Sequence, residues 1–321
     1  MDRREFLMNT AAGVAAVTAA GLEGAPEAAA AGRELLPRRV LGKTGRKLSI
    51  IGFGGIIVMG HEQPEANRIV AEAVDGGVNY FDVAPSYGDG EAEEKLGPAL
   101  EPFRRNSFLA CKTGRRDRQG AQEELDRSLK RLRTDHFDLY QLHGLTKMSE
   151  LDQALGAEGA LKTFEAAKKE GRIRHIGFSA HSVEVALAAI DRYPFDSILF
   201  PVNFVLFNQA NFGPQVVKKA QEKGMGILAL KSMASQPWPE GAKREYKYCW
   251  YQPVEEPVLA TLAVRFTLSQ PITAAVPPGD VRLFRTALKA GQGFKKLSAE
   301  DLKTIKARAA ERQPIFRLET A

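Results

Sequence analysis

Cysteine is nearly absent. The 321 residues contain two, Cys111 and Cys249, in no CxxC or Cys/His cluster, so a structural zinc or an iron–sulfur site lacks its ligands. A disulfide joining the two is compatible with the sequence but has no pattern to support it. Charge of one sign is not clustered either: 45 Lys and Arg are interspersed with 39 Asp and Glu, and the resulting +6 reads as a solvated surface without a nucleic-acid footprint. Apart from an alanine-rich stretch near the start, no segment approaches the length and apolarity of a membrane span, and that stretch, Met8 to Ala20, is too short and too poor in Leu and Ile. A complete dinucleotide fingerprint is missing as well. Gly52-Phe53-Gly54-Gly55-Ile56-Ile57 begins like G-x-G-x-x-G but ends on Ile57, so the Rossmann reading fails and a flexible turn after a first strand is expected. What is present, 44% hydrophobic and 26% charged residues, is enough to bury one extensive core.

The first 31 residues read differently from the rest. Arg3-Arg4 precede Glu5-Phe6-Leu7, a weakly apolar stretch follows, and Ala28-Ala29-Ala30-Ala31 offer small residues for an A-x-A cleavage site. The R-R-x-F-L arrangement resembles a twin-arginine export signal, a receptor-read address and not an anchor. The expectation is a signal at residues 1–31, a domain at 32–321, transient contact with the twin-arginine translocase, and a mature protein in the periplasm with no stable membrane insertion.

From Leu48 onward, short apolar runs alternate with longer amphipathic ones. Strands are predicted at Leu48–Phe53, Val78–Asp82, Ser107–Lys112, Asp138–His143, Arg174–Ser179, Ser197–Val202, Met225–Lys231 and Thr273–Val276. Helices are predicted at Glu65–Asp75, Glu91–Leu100, Ala121–Leu132, Leu151–Glu170, Val183–Asp191, Pro214–Glu222, Pro257–Leu268 and Arg282–Lys289. Gly76-Gly77, Gly171 and Gly224 stand where helices would end, and Pro64, Pro214 and Pro257 where they would begin. Eight strand-then-helix units match a (β/α)8 TIM barrel better than an open sheet. Ahead of them, a Lys43-Thr44-Gly45 turn between two strand-like runs predicts a hairpin closing the barrel bottom. The segment from Ala234 to Glu255 has no periodicity and carries Trp238, Tyr246, Tyr248, Trp250 and Tyr251. After the seventh strand, such a loop belongs at the C-terminal face, where barrel sites are built.

Three consecutive predicted strands end in ionisable residues: Asp82, Lys112 and His143. Taken singly, each has an ordinary structural role as a helix cap, a snorkelling lysine or a packing layer. A barrel, however, brings adjacent strand ends to one mouth, with Tyr87 in the loop above them. Hydride reduction of a carbonyl leaves an oxygen that must be protonated, and a phenol is a poor acid at neutral pH. An adjacent ammonium, Lys112, would lower the phenol pKa, Asp82 would hold the ammonium, and His143 could bind the substrate oxygen.

Phe81-Asp82-x-Ala-x-x-Tyr87-Gly88, Glu93-Glu94-Lys95-Leu96-Gly97, the strand-end Lys112 and the Asp138-Leu-Tyr-x-Leu-His143 strand together resemble the aldo/keto reductase superfamily, from about Arg38 to about Leu302. The resemblance implies an NADPH-dependent enzyme acting on an aldehyde, ketone or alcohol, with its tetrad roles falling on Asp82, Tyr87, Lys112 and His143. It also implies that Ser179 helps hold the nicotinamide carboxamide. Ala180 stands where an Asn is usual and Pro201 where a Gln is usual, with Asn203 nearby as a possible substitute. The position of the stacking aromatic falls on Leu230, followed by Lys231. Past the eighth strand, Gly279 and the helix bearing Arg282 and Arg285 are placed to receive cofactor phosphates. A cofactor-binding sensor with little turnover is the competing function, against which the intact four-residue set argues. A metal-dependent hydrolase lacks the His and Asp ligands it needs at the strand ends, and no metal is expected.

Overall fold

The structure, a computed structural model, describes residues 35–318. The expected signal at residues 1–31 lies outside them. A hairpin of β1 (Arg38–Val40) and β2 (Lys47–Ser49) comes first, with Val40 opposite Lys47. Its turn carries Gly42 and Gly45, both with positive φ, and a Cβ on Gly42 would fall 2.2 Å from the Gly226 amide nitrogen, so only glycine fits. This close approach drives Leu41 into the bottom of the barrel. Leu41 packs there with Leu48, Tyr80, Phe108, Leu139, Leu199 and Leu228, as expected for a closing hairpin.

The barrel strands are β3 (Phe53–Gly54), β4 (Tyr80–Asp82), β5 (Phe108–Thr113), β6 (Phe137–Leu145), β7 (Ile173–Ala180), β8 (Ser197–Pro201) and β9 (Gly226–Leu230). A separate antiparallel pair, β10 (Ala234–Pro237) and β11 (Tyr251–Pro253), lies between β9 and the last barrel strand, β12 (Ala274–Val276). All neighbours from β3 to β12 are parallel. The ring closes where the Gly52 N–H donates to Ala275 O (2.9 Å) and the Ala275 N–H to Ile50 O (2.8 Å). The predicted first strand is therefore divided: its start belongs to the hairpin and its end to the barrel.

Eight connections carry the helices α1 (Gln63–Asp75), α2 (Glu91–Leu100), α3 (Arg118–Arg131), α4 (Met148–Leu155), α5 (Ala160–Lys169), α6 (Val183–Arg192), α7 (Pro214–Glu222), α8 (Pro257–Ser269) and α9 (Val281–Gln292), and α10 (Ala299–Ala310) follows. The helix predicted over Leu151–Glu170 is two helices. Gly156 and Gly159 separate them, and a Cβ on Gly159 would sit 2.3 Å from the carbonyls of Gln153 and Ala154. The final helix α10, absent from the predicted set, starts with a Ser298/Asp301 capping box. No helix among the described residues is long and apolar enough to cross a membrane.

Strand parity positions the site. Tyr80, Phe108, Ala110, Leu139, Leu199, Leu228 and Ala274 fill the barrel interior. Alternation then aims Asp82, Lys112, Gln141 and His143 along the same inner face, one or two steps nearer the mouth.

Candidate active site

At the C-terminal ends of the strands lies a cavity of about 240 Å³ whose walls include Asp82, Tyr87, Lys112, His143, Ser179 and Lys231. The four residues expected to act together do converge. Lys112 is fully buried and its Nζ donates to Asp82 Oδ1, to Val83 O (3.2 Å) and to Tyr87 Oη (3.3 Å). The His143 ring stands edge-on to Tyr87, with centroids 5.6 Å apart, and its Nδ1 lies 3.4 Å from Ser86 Oγ. Arg116 holds the strand end beneath it by donating to His143 O (2.7 Å).

Two members of this network were not foreseen. Tyr80 Oη and Gln141 Nε2 both donate to Asp82 Oδ2, each at 3.2 Å, so the carboxylate is held from three sides. A signal was available: Tyr80 is two residues before Asp82 and Gln141 two before His143, so each shares a strand face with a candidate. His181, two past Ser179, is a further cavity residue that the sequence reading did not single out.

Burial alone would push the Lys112 pKa down, but the Asp82 charge, Tyr87 and the Asp82 hydrogen bond outweigh it and the net shift is upward. Lys112 is thus a permanent cation. For Tyr87 the balance runs against expectation. Desolvation pushes the phenol up by more than Lys112 pulls it down, so it is a neutral acid in the resting site and not a preformed phenolate. His143 is held well below the ordinary imidazole range, first by burial and then by the charges of Lys112 and other neighbours. With that ring neutral, the tautomer in which Nδ1 accepts from Ser86 is the one that makes Nε2–H a donor available to a ligand.

The residues expected around a cofactor divide. Ser179 lines the cavity, its Oγ accepting from the Gly144 N–H (2.7 Å), and Gly279 lines the far wall against Ile56, where a Cβ would meet Ile56 Cγ2 at 2.2 Å. Lys231 lines it too. Asn203 is buried off the cavity wall, its amide donating to Lys231 O (3.2 Å) and accepting from the Leu206 N–H (2.8 Å). Arg282 is engaged by Asp280 (3.1 and 3.0 Å) and lies on the Tyr246 ring, while Arg285 makes two 2.7 Å bonds to Glu72. Neither guanidinium is on the cavity wall. The Asp280 carboxylate caps α9 through the Arg282 N–H (2.9 Å), at the helix start expected to receive phosphate.

The aromatic loop lies over the mouth as expected. Trp238 Nε1 donates to Cys249 O (2.8 Å), and Tyr248 Oη would be only 2.7 Å from a Cβ on Gly60, so the loop spans from β9 to the turn beyond β3. Cys111, on β5, and Cys249, in this loop, are both free thiols.

A (β/α)8 barrel with Lys112 bridging Asp82 and Tyr87 beside His143 defines a class, and the sequence comparison agrees: the pattern of the Aldo/keto reductase family matches residues 51–257. The chain belongs to the aldo/keto reductase family. It is 34% identical over 184 residues to the uncharacterized oxidoreductase YqkF of Bacillus subtilis, covering 54% of this chain and 57% of that one. It is 26% identical over 215 residues to L-galactose dehydrogenase of Arabidopsis thaliana, covering 61% and 65%. The match thus spans about three fifths of these curated relatives. Among solved structures, the holo form of aldo-keto reductase AKR11C1 from Bacillus halodurans aligns with a TM-score of 0.68 at 26% identity, covering 85% of this chain and 96% of that one.

Proposed function

We propose that the protein is a nicotinamide-dependent oxidoreductase that interconverts a carbonyl compound and its alcohol. The observation that carries this reading is the contact of Lys112 Nζ with both Asp82 and Tyr87 Oη in a cavity that His143 shares. The cofactor, when bound, supplies the hydride. His143 Nε2–H binds the carbonyl oxygen and orients it, Tyr87 Oη delivers the proton to that oxygen, and the Lys112 ammonium stabilises the phenolate that remains. In oxidation Tyr87 takes the proton back. Asp82, fixed by Tyr80 and Gln141, keeps Lys112 charged and aimed.

The cavity would take the reacting end of the cofactor between Ser179, whose hydroxyl accepts from the Gly144 N–H and donates only at 3.5 Å to Leu142 O, and the wall of Pro277 to Gly279, which admits no extra side chain at Gly279. For the adenine end we propose NADPH, with Arg285 reading the 2′-phosphate. Its half-exposed pair with Glu72 is worth about 0–1 kcal/mol, little against a 2′-phosphate. Arg282 is instead engaged by its neighbour Asp280 and lies on the Tyr246 ring. NADPH oxidation with a panel of aldehydes and ketones tests the reading, and no turnover with any of them would overturn it.

Residues 1–31 are proposed as a twin-arginine signal ahead of a barrel domain at 32–321, giving a periplasmic enzyme. That route carries folded proteins, whereas soluble nicotinamide cofactor is made in the cytoplasm, so cofactor is proposed to enter before export. Changing Arg3 and Arg4 to Lys should retain the precursor in the cytoplasm, as read by fractionation of tagged protein. Uncut wild type found only in the cytoplasm would remove the export proposal, and nucleotide-free periplasmic protein would remove only the preloading.

A further inference from the structure

Lys231 follows β9 directly and holds a left-handed backbone, φ 70°, unusual for a residue with a side chain. Its carbonyl accepts from Asn203 Nδ2 (3.2 Å) and from the Ala234 N–H (2.9 Å), which fix that conformation. Positions held in such backbone regions gather at ligand sites. The side chain enters the cavity, where Nζ lies 5.0 Å from the ring centroids of both Trp250 and Tyr251. Among the described residues it makes no ion pair, and burial is the main influence on its charge. Across the same cavity, His181 Nε2 is buried without a hydrogen-bond partner, its ring stacked on Phe316 at 5.3 Å.

The Lys231 ammonium enters one small, largely apolar space with no counter-ion among the described residues, and in the cavity wall the buried His181 Nε2, in the Nε2–H tautomer of the neutral ring, would be a donor without an acceptor. We propose that Lys231 and His181 bind the carboxylate of the substrate, so that the enzyme acts on carbonyl compounds, or their alcohols, that carry an acid group. This deepens the reductase reading and rests on it for the identity of the reaction. A single ammonium matches one negative charge, and a phosphate dianion would require more donors than this wall presents. The rings of Trp250 and Tyr251 hold the ammonium in place without neutralising it, which keeps its charge available to a ligand.

The charge state follows from the surroundings. Desolvation pushes Lys231 down to about 8. His181 is held down to about 4 by burial and by Lys231, and His143 lies well below its ordinary value. Burial raises Cys249 to about 11 and holds Tyr251 well above the ordinary phenol range, so both keep their protons. Near pH 8, Lys231 is therefore the cavity group that titrates, and anion affinity should be lost as pH rises through that value.

Benzoate and benzamide differ in charge, need no turnover, and can be titrated calorimetrically into the protein as purified. Benzoate should bind at least about tenfold more tightly than benzamide near pH 7, and the difference should collapse near pH 9.5. Lys231→Met should weaken benzoate about tenfold or more, whereas Lys231→Arg should retain binding and remove the pH dependence. In turnover, 4-carboxybenzaldehyde should have a lower KM than its methyl ester, and the gap should close in Lys231→Met. Equal benzoate affinity in wild type and Lys231→Met, or a pH-independent wild type, overturns the inference. Loss of NADPH affinity in place of benzoate affinity also overturns it and assigns the ammonium to the cofactor. Lys231-dependent benzoate binding by a protein that reduces no aldehyde would sink the reductase reading and leave the anion site standing.

Discussion

Lys112 and Lys231 line one cavity, yet their environments push them in opposite directions. On the side of β4, β5 and β6, the Lys112 ammonium is buried against Asp82, which Tyr80 and Gln141 hold in turn, and its pKa rises. On the side of β9, Lys231 faces aromatic rings in place of a carboxylate, and its pKa falls to about 8. The first arrangement is complete within the chain and suits a group whose charge must not change. The second is incomplete without a ligand and suits recognition. Burial is common to both, so the difference lies in whether the fold supplies the counter-ion.

The sharpest way to separate the two sides is to remove the proton donor. Tyr87→Phe should lower turnover by about a hundredfold or more while leaving benzoate and NADPH binding nearly intact. Wild-type turnover in that variant would take Tyr87 out of its role. Lys112→Met tests the paired side through stability as well as rate. Leaving the Asp82 carboxylate buried without its counter-ion, held only by Tyr80 and Gln141, should cost about 3–5 kcal/mol in denaturant unfolding. Adding Asp82→Asn should recover much of that stability without recovering the rate. In whatever folded fraction of Lys112→Met is active, the alkaline limit of reduction should move upward, because the phenol loses the one nearby charge that lowers its pKa. An unchanged profile would show that the ammonium does not tune the acid.

A smaller effect should appear with pH on the recognition side. His181 has a folded pKa of about 4, below its ordinary 6.5, so folding favours its neutral form. Its contribution to stability is complete above about pH 6.5 and is lost as pH falls toward 4. Wild-type Tm should therefore drop more across that window than the Tm of His181→Asn, and parallel curves would show that this imidazole is not the group responsible. The smallest effect is expected outside the cavity. Arg285→Ala should weaken NADPH by a few-fold, on the order of one exposed charge contact, with NADH unchanged. Equal losses for both would show that Arg285 does not read the 2′-phosphate.

Much of the paired side was legible in the sequence because strand ends are local features. Apolar runs ending in Asp82, Lys112 and His143 announce both the strands and the face the residues take, and the barrel supplies the convergence. Tyr80 and Gln141 escaped notice because they read as ordinary strand residues until the inner face is assembled. The division of the predicted helix at Gly156 and Gly159 was hidden because the flanking amphipathic pattern continues across it. The arginines were harder still. Glu72, which engages Arg285, lies 213 residues away in sequence, and no local pattern distinguishes a free guanidinium from one paired across the barrel exterior. Lys231 was visible as a departure from the aromatic expected near that position, but its meaning depends on where Trp250 and Tyr251 fold back.

The backbone seam between Ile50–Gly52 and Ala275 has a consequence for how the molecule is born. Until Ala275 leaves the ribosome, the first barrel strand has no partner on one side and the growing sheet has an open edge able to pair with other chains. At about 5–20 residues per second, the wait from the first strand to the last is roughly ten to forty-five seconds. If the proposed export route takes only finished barrels, it would act as an inspector of this seam: the chain would qualify as a passenger only once its last barrel strand arrives to close the ring.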